Sequence, residues 1–424
     1  MGNSLYKEKF LLMIEKIKEL IRIPSVRYTY MSIIASVLNF ITLIAWGRIF
    51  SVGDYGIATT LQAFVTNAAT FVIPLQVIAC TLLAGNSENR KRDITSIMKV
   101  FGFINIIELG LLVVCIDKLM QYFHFTGVVE IVLFSTLIFL NNIYTISIGF
   151  AQGEQDFELL GKIGISLYLI KLIISVILGN FGVGFVATMI GFVIAETVCV
   201  VLMLRKLSRS IRISLNENKT QVNKSILKQY VWILLLNLIL SLYMNNGDLL
   251  LGNLYCSETE VGAYSVTIAL SKISVFLVST PIATIILPKM ATAKDEKRKC
   301  NTLLILAETI TLGMSVLYGG CFYILGGWII PFLYGESYRG ATEYILPCTF
   351  FSVVLGVFWV FYQYILATDL TKVFALATAV TGIMAIAWIL VMKVEIGGIP
   401  FIMAIAMILT MVVLTIYLNR NVRI

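Results

Sequence analysis

The chain has 424 residues, of which 59% are hydrophobic and only 13% charged, about half the ~25% charge usual in soluble domains. This excludes a water-soluble globular protein, and it makes the net charge of +8 a matter of membrane sidedness rather than of nucleic acid. One histidine (His124) and seven cysteines with no CxxC pair or Cys/His cluster leave histidine catalysis and a metal site without their residues, and no cofactor is expected.

Residues 1–30 are polar and mixed in charge. Phe10, Ile14, Ile17 and Ile21 recur at helical spacing between Lys and Glu, the pattern of an amphipathic helix lying on the inner membrane surface, or of a solvated extension of the first span. No cleaved signal peptide is expected. Twelve apolar stretches follow, near 31–50, 56–84, 99–117, 126–151, 159–181, 183–204, 230–254, 261–290, 301–325, 344–367, 371–393 and 396–418. Each is close to the roughly 20 residues that cross a hydrocarbon core of about 30 Å. The expected fold is therefore an all-α polytopic membrane protein. The longest hydrophilic segment falls mid-chain and divides it into an N-lobe (31–204, spans one to six), a basic linker (205–229), a C-lobe (230–418, spans seven to twelve) and a tail (419–424).

Lys and Arg fall in alternate loops. With the N-terminus inside, the inner side receives 26 of them and the outer side 4 (Arg48, Lys118, Arg339 and Lys393), while Lys171 and Lys272 lie within spans. By the positive-inside rule both termini are expected in the cytoplasm. Loops are short, no GxxxxGK[ST] motif is present, and the longest outer segment, 326–343, holds one Arg and no His. A nucleotide-hydrolysing domain or a membrane-embedded polymerase or ligase is therefore not expected, and no catalytic residue is assigned.

The halves begin alike. The hairpin Arg48-Ile49-Phe50-Ser51-Val52-Gly53-Asp54-Tyr55-Gly56 is echoed by Cys256-Ser257-Glu258-Thr259-Glu260-Val261-Gly262: at an offset of 206, Ser51 matches Ser257, Asp54 matches Glu260 and Gly56 matches Gly262. Pro74 and Pro281 lie one residue from alignment, each deep in the following span where proline kinks a helix. Six spans per half give the halves the same orientation, a parallel repeat about an axis along the membrane normal.

These hairpins, with an acidic residue, one spacer and Gly, and the run Asp248-Leu249-Leu250-Leu251-Gly252 ahead of the second, resemble bacterial polysaccharide (O-antigen or capsule repeat-unit) flippases. That family belongs to the multidrug/oligosaccharidyl-lipid/polysaccharide exporter superfamily. The likeness covers the whole chain in layout and residues 45–56 and 245–265 in motif. It implies two six-helix lobes around a central cavity and alternating access in the bacterial cytoplasmic (inner) membrane. It also implies an undecaprenyl-pyrophosphate-linked oligosaccharide repeat unit as cargo, exported for surface polysaccharide. A polysaccharide polymerase and glycosyltransferases are candidate partners; nucleic acid is not. Peptidoglycan-precursor flippases of the superfamily usually have fourteen spans, so the count argues against that branch.

Ionisable residues inside a bilayer cost about 2.5–3.5 kcal/mol each and normally face a bundle interior or a wet cavity. In span seven Asn237, Ser241, Asn245, Asp248, Gly252 and Tyr255 follow helical spacing and predict one polar face, a cavity wall or a packing seam. Lys272 in span eight can approach Asp248 across a short hairpin. Lys272, Lys171 and Arg48 are the candidate cations for a pyrophosphate, and Asn245, Asp248, Trp359 and Gln363 are candidates for sugars or for positioning. Glu108, Glu196 and Glu308 are candidates for ion coupling or for buried pairing, Lys171 with Glu108 or Glu196 among them. The rival reading is a cation-coupled multidrug or small-metabolite antiporter of the same fold; a pure scaffold does not need so many buried charges.

Overall fold

The computed structural model describes residues 24–84, 90–215, 224–280, 282, 290, 296–367 and 371–421. Among these there is helix, turn and loop but no strand, as a bilayer demands of a chain that does not close into a barrel. The helices are α1 (Pro24–Ile49), α2 (Val52–Ala68), α3 (Ile73–Ala84), α4 (Arg90–Val114), α5 (Ile116–Tyr122), α6 (Val128–Gly153), α7 (Phe157–Asn180), α8 (Val186–Leu215), α9 (Lys224–Met244), α10 (Gly247–Gly252), α11 (Glu258–Ser271), α12 (Lys297–Tyr334), α13 (Ile345–Ala367), α14 (Thr371–Met392) and α15 (Ile399–Asn421).

Ten helices among the described residues are long and apolar enough to cross a membrane, and eleven if the bent pair α2 and α3 counts as one span. Span eight, expected at 261–290, runs beyond α11 into residues outside the described set, as do the amphipathic segment of the N-terminus (1–23) and part of the linker (216–223). The exposed apolar surface of α4, α12 and α14, including Ile106, Val114, Leu317, Ile324, Leu376 and Val391, is the lipid-facing stripe that such helices keep.

The helices fall into two compact units. The first comprises the described parts of Met1–Trp46, Phe71–Asp117 and Thr126–Tyr230, and the second those of Gly47–Thr70, Lys118–Phe125 and Val231–Ile424.

In the first unit α7 packs along α8, and α6 lies between α3 and α8. The expected kink at Pro74 is present. The helix breaks between α2 and α3, with Pro74 in the first turn of the new helix, where its missing N–H costs nothing. Pro281 lies outside the described residues.

In the second unit the matched hairpin residues acquire a physical meaning. Ser51 caps the N-terminus of α2, its hydroxyl accepting from the Asp54 N–H at 3.1 Å. Ser257 caps α11 in the same way, accepting from the Glu260 N–H at 3.4 Å. The Glu260 carboxylate accepts in return from the Ser257 backbone N–H (2.8 Å) and hydroxyl (2.7 Å). This reciprocal box holds the Glu260 carboxyl below its usual range, the backbone N–H of Ser257 contributing most.

The matched glycines carry the crossing of α2 over α11. A methyl built on Gly56 would lie 2.4 Å from the carbonyl oxygen of Glu258, and one built on Gly262 would lie 1.9 Å from that of Val52. Thr59 and Ser265 touch through their hydroxyls at 2.8 Å, 206 residues apart. Each helix thus meets the other through equivalent residues, a local two-fold built from the internal repeat.

The expected outer loop at 326–343 is different. Helix α12 runs 38 residues to Tyr334, about 57 Å at 1.5 Å per residue. Gly335, at φ +108°, ends it, and a tight 3-10 turn spans Glu336–Tyr344. Arg48 binds the end of this helix, its Nε–H donating to the Leu333 carbonyl at 2.7 Å and its Nη2 to that of Phe332. A cation there answers the orphaned carbonyls and the helix dipole.

Candidate functional site

Span seven is a broken helix, which corrects the single polar face expected of it. α9 stops at Met244, Asn246 takes the left-handed conformation (φ 57°, ψ 44°), and α10 restarts at Gly247. Asn is the residue besides Gly that visits this region most readily, and the Asn246-Gly247 pair is a turn signal. The break strands carbonyls inside the membrane region, and side chains collect them. Asn67 Nδ2 donates to the Asn245 carbonyl at 2.9 Å. Lys272 Nζ points to the Tyr243 carbonyl at 3.4 Å.

A charged cluster is assembled around this break. Lys272, the residue after α11, donates from Nζ to Asn246 Oδ1 at 2.5 Å and lies 4.0 Å from Asp248 Oδ1. Its side chain is 6% exposed and that of Asp248 0%. Tyr264 on α11 donates its hydroxyl to Asp248 Oδ2, and the Phe351 ring of α13 lies 5.2 Å from the ammonium. The expected approach of Lys272 to Asp248 is therefore present in the geometry. Removing one partner of such a buried pair costs about 3–5 kcal/mol, because the other is left uncompensated.

The first unit has its own buried lysine. Lys171 on α7 is fully buried, with Nζ 3.8 Å from the ring centre of Phe192, 4.6 Å from Trp46 and 5.9 Å from Tyr168. Rings at these distances attract a cation through their quadrupoles, more strongly when water is excluded. The Trp46 indole N–H donates to Ser175 Oγ at 2.7 Å, fixing that wall of the box. Glu196, one turn from Phe192 on α8, interacts electrostatically with Lys171; its Oε2 is buried without a hydrogen-bond partner among the described residues.

The remaining candidates have other surroundings. Glu108 on α4 accepts from Asn142 Nδ2 of α6, which also donates to Asn105 Oδ1 at 3.1 Å, a polar tie between two helices of the first unit. Glu308 is half-buried on α12. Arg48 is exposed, and its guanidinium is engaged by the end of α12. Trp359 and Gln363 lie on α13 about two and three turns beyond Phe351, Trp359 half-buried beside Tyr362 (5.5 Å between ring centres) and Gln363 buried. Asn245 contributes its backbone to the break. Sequence reasoning did not single out Asn246, Tyr264, Trp46 or Phe192. The Asn-Gly dipeptide was a usable signal for the first; the others are apolar or aromatic residues brought in from different helices.

The described residues form a polytopic all-helical fold with ten helices long and apolar enough to cross a membrane. The sequence matches the family described as polysaccharide biosynthesis protein over residues 45–343, and the chain belongs to that family. The resemblance read from the hairpins is borne out at that level. Among solved structures, the chain is similar to the lipid II flippase MurJ in an inward closed conformation, at a TM-score of 0.71 and 15% identity, covering 94% of this chain and 88% of that one. It is also similar to a multidrug resistance MATE family transporter of the MOP superfamily in an inward-facing conformation (TM-score 0.66, 13% identity, 90% and 96% covered). A third likeness is to a MOP superfamily transporter from Pyrococcus furiosus (TM-score 0.56, 14% identity, 94% and 97% covered) whose binding pocket is described as reversed in polarity. At such identities the likeness is one of fold. No curated protein sequence matches the chain.

Proposed function

We propose that this protein is a flippase that moves undecaprenyl-pyrophosphate-linked oligosaccharide repeat units across the bacterial cytoplasmic membrane by alternating access, both termini lying in the cytoplasm. The observation that carries the reading is membership of a polysaccharide biosynthesis family on a transporter fold. A polysaccharide pathway needs its lipid-linked intermediates on the far side of the bilayer, and a chain built almost wholly of membrane helices is suited to moving them. Two lysines buried among apolar helices supply cationic charge where a pyrophosphate head must pass through a medium without water. Lys272, Lys171 and Asn245 are the residues we assign to the substrate path, with Asp248 positioning Lys272. Trp359 and Gln363 are assigned to the sugars, and Arg48 to the outer end of the path.

The antiporter reading draws on the likeness to MATE transporters and on Glu108 and Glu196. The deciding experiment deletes the gene in the parent cell and measures the sidedness of lipid-linked oligosaccharide with a membrane-impermeant glycan label. Intermediates trapped on the cytoplasmic face support the flippase. Normal outer labelling with altered sensitivity to cationic compounds overturns it in favour of the antiporter.

A further inference from the structure

In an unbroken helix the carbonyl of Tyr243 accepts from the N–H of Gly247, four residues on. At the break in span seven that carbonyl faces Lys272 Nζ instead, at 3.4 Å. The ammonium has two more oxygens before it: the amide oxygen of Asn246 at 2.5 Å and Asp248 Oδ1 at 4.0 Å. A backbone carbonyl, a side-chain amide and a carboxylate, converging on one point at a helix discontinuity, form the donor set by which broken membrane helices hold small cations.

Two details separate this arrangement from an ordinary ion pair. A Lys–Asp pair closes to about 2.7–2.9 Å when the two are each other's main partners, whereas here the nearest oxygen is a neutral amide and the carboxylate stands back. Asp248 Oδ1 is buried and accepts no hydrogen bond among the described residues. The Tyr264 hydroxyl serves the other oxygen, Oδ2. Oδ1 therefore has the Lys272 ammonium as its nearby positive charge without accepting a hydrogen bond from it.

We propose that Lys272 is a tethered cation: its ammonium fills what is otherwise a monovalent-cation site at the break in span seven, so that this protein needs no dissolved ion there. The inference concerns the nest and not the cargo, and it stands or falls independently of the flippase reading. A covalently attached occupant cannot dissociate during a cycle. It therefore removes the Na⁺ gradient as a drive at this position while keeping the carboxylate compensated.

The test uses purified full-length protein in detergent, with melting followed by tryptophan fluorescence. NaCl is titrated against N-methyl-D-glucamine chloride at constant ionic strength. Wild-type protein is expected to melt at the same temperature in both. Lys272→Ala empties the nest and is expected to show a saturable rise in Tm with Na⁺ of about 2–4 °C, as ligand linkage requires. Lys272→Ala/Asp248→Asn is expected to lose that rise, and Lys272→Gln, which refills the nest with a neutral amide, to lack it. Lys272→Ser provides the same comparison if the alanine variant does not accumulate. A Na⁺-specific shift in wild-type protein overturns the proposal and needs no variant. A flat response in both Lys272→Ala and Lys272→Ser overturns it as well.

Discussion

Gly262→Ala places a methyl 1.9 Å from the carbonyl oxygen of Val52. Real Cβ contacts do not fall below 3.0 Å, so α2 and α11 must part by at least 1.1 Å at this point. The obstructing atom is backbone and cannot swing aside. Overpacking of this kind costs about 1–3 kcal/mol, and the upper end applies where no side chain can yield. Alanine returns about 1 kcal/mol of helix propensity, leaving a net loss of about 2 kcal/mol. Gly56→Ala meets the Glu258 carbonyl at 2.4 Å and needs a smaller shift of at least 0.6 Å, for a net loss of about 1 kcal/mol. Because both methyls wedge the same two helices apart, the double variant should cost less than the sum of the singles. Thermal unfolding in detergent reads all three, with Gly102→Ala and Gly110→Ala as controls. Nothing lies within 4 Å of a methyl at either control position, so those variants should be neutral or slightly more stable. The crossing is wrongly described if Gly262→Ala melts with the controls, or if the two glycine effects simply add.

The local two-fold predicts that Thr59→Cys/Ser265→Cys, in a background with the native cysteines replaced, joins α2 to α11 on oxidation. The native hydroxyls are 2.8 Å apart, within the reach of a disulfide. Cleavage engineered into residues 205–228 should leave the fragments linked until reductant is added, and equal linkage of Thr59→Cys to Thr267→Cys would contradict the register. Glu260 is held below its ordinary range by Ser257, so its stabilising contribution is present above the unfolded value of about 4.3 and is lost as pH falls through the lower folded one. The stability advantage of wild type over Glu260→Gln should therefore shrink below about pH 4, and parallel curves would refute it. Lys272→Gln should lower export on the order of tenfold or more, the loss of one charge-assisted contact, at normal protein level; undiminished export removes Lys272 from the path.

Much of this architecture was legible because a bilayer sets the length of whatever crosses it. The apolar stretches at 126–151, 159–181 and 371–393 match α6, α7 and α14 to within a few residues, and Pro74 marked the break between α2 and α3. The Ser51/Ser257 and Asp54/Glu260 matches stood out because helix capping admits few residue types. Span seven was harder. Its polar residues keep a spacing of three and four straight through Asn245 and Asp248, so periodicity reads across the break, and only the Asn-Gly pair betrays it. The box around Lys171 was invisible for a different reason. Trp46, Tyr168 and Phe192 come from three helices, and aromatic residues are too common in membrane spans for their convergence on one ammonium to show in linear order. The length of α12 was hidden by Gly326 and Gly327, which look like a loop; a methyl at Gly326 would lie 2.6 Å from the Ile345 side chain, the close approach that keeps glycine inside a helix.

At the α2–α11 crossing, Gly56 faces Glu258 while Gly262 faces Val52. A contact in which two copies of one motif meet by exchanging partners is the contact of a symmetric homodimer. Its specification needs only one sequence, read twice. A helical hairpin carrying Ser, an acidic residue and glycine at these positions can pair with a second copy of the same motif. Neither glycine can enlarge without the other's helix giving way, so one chain carries at this crossing the constraint of a pair of equal subunits.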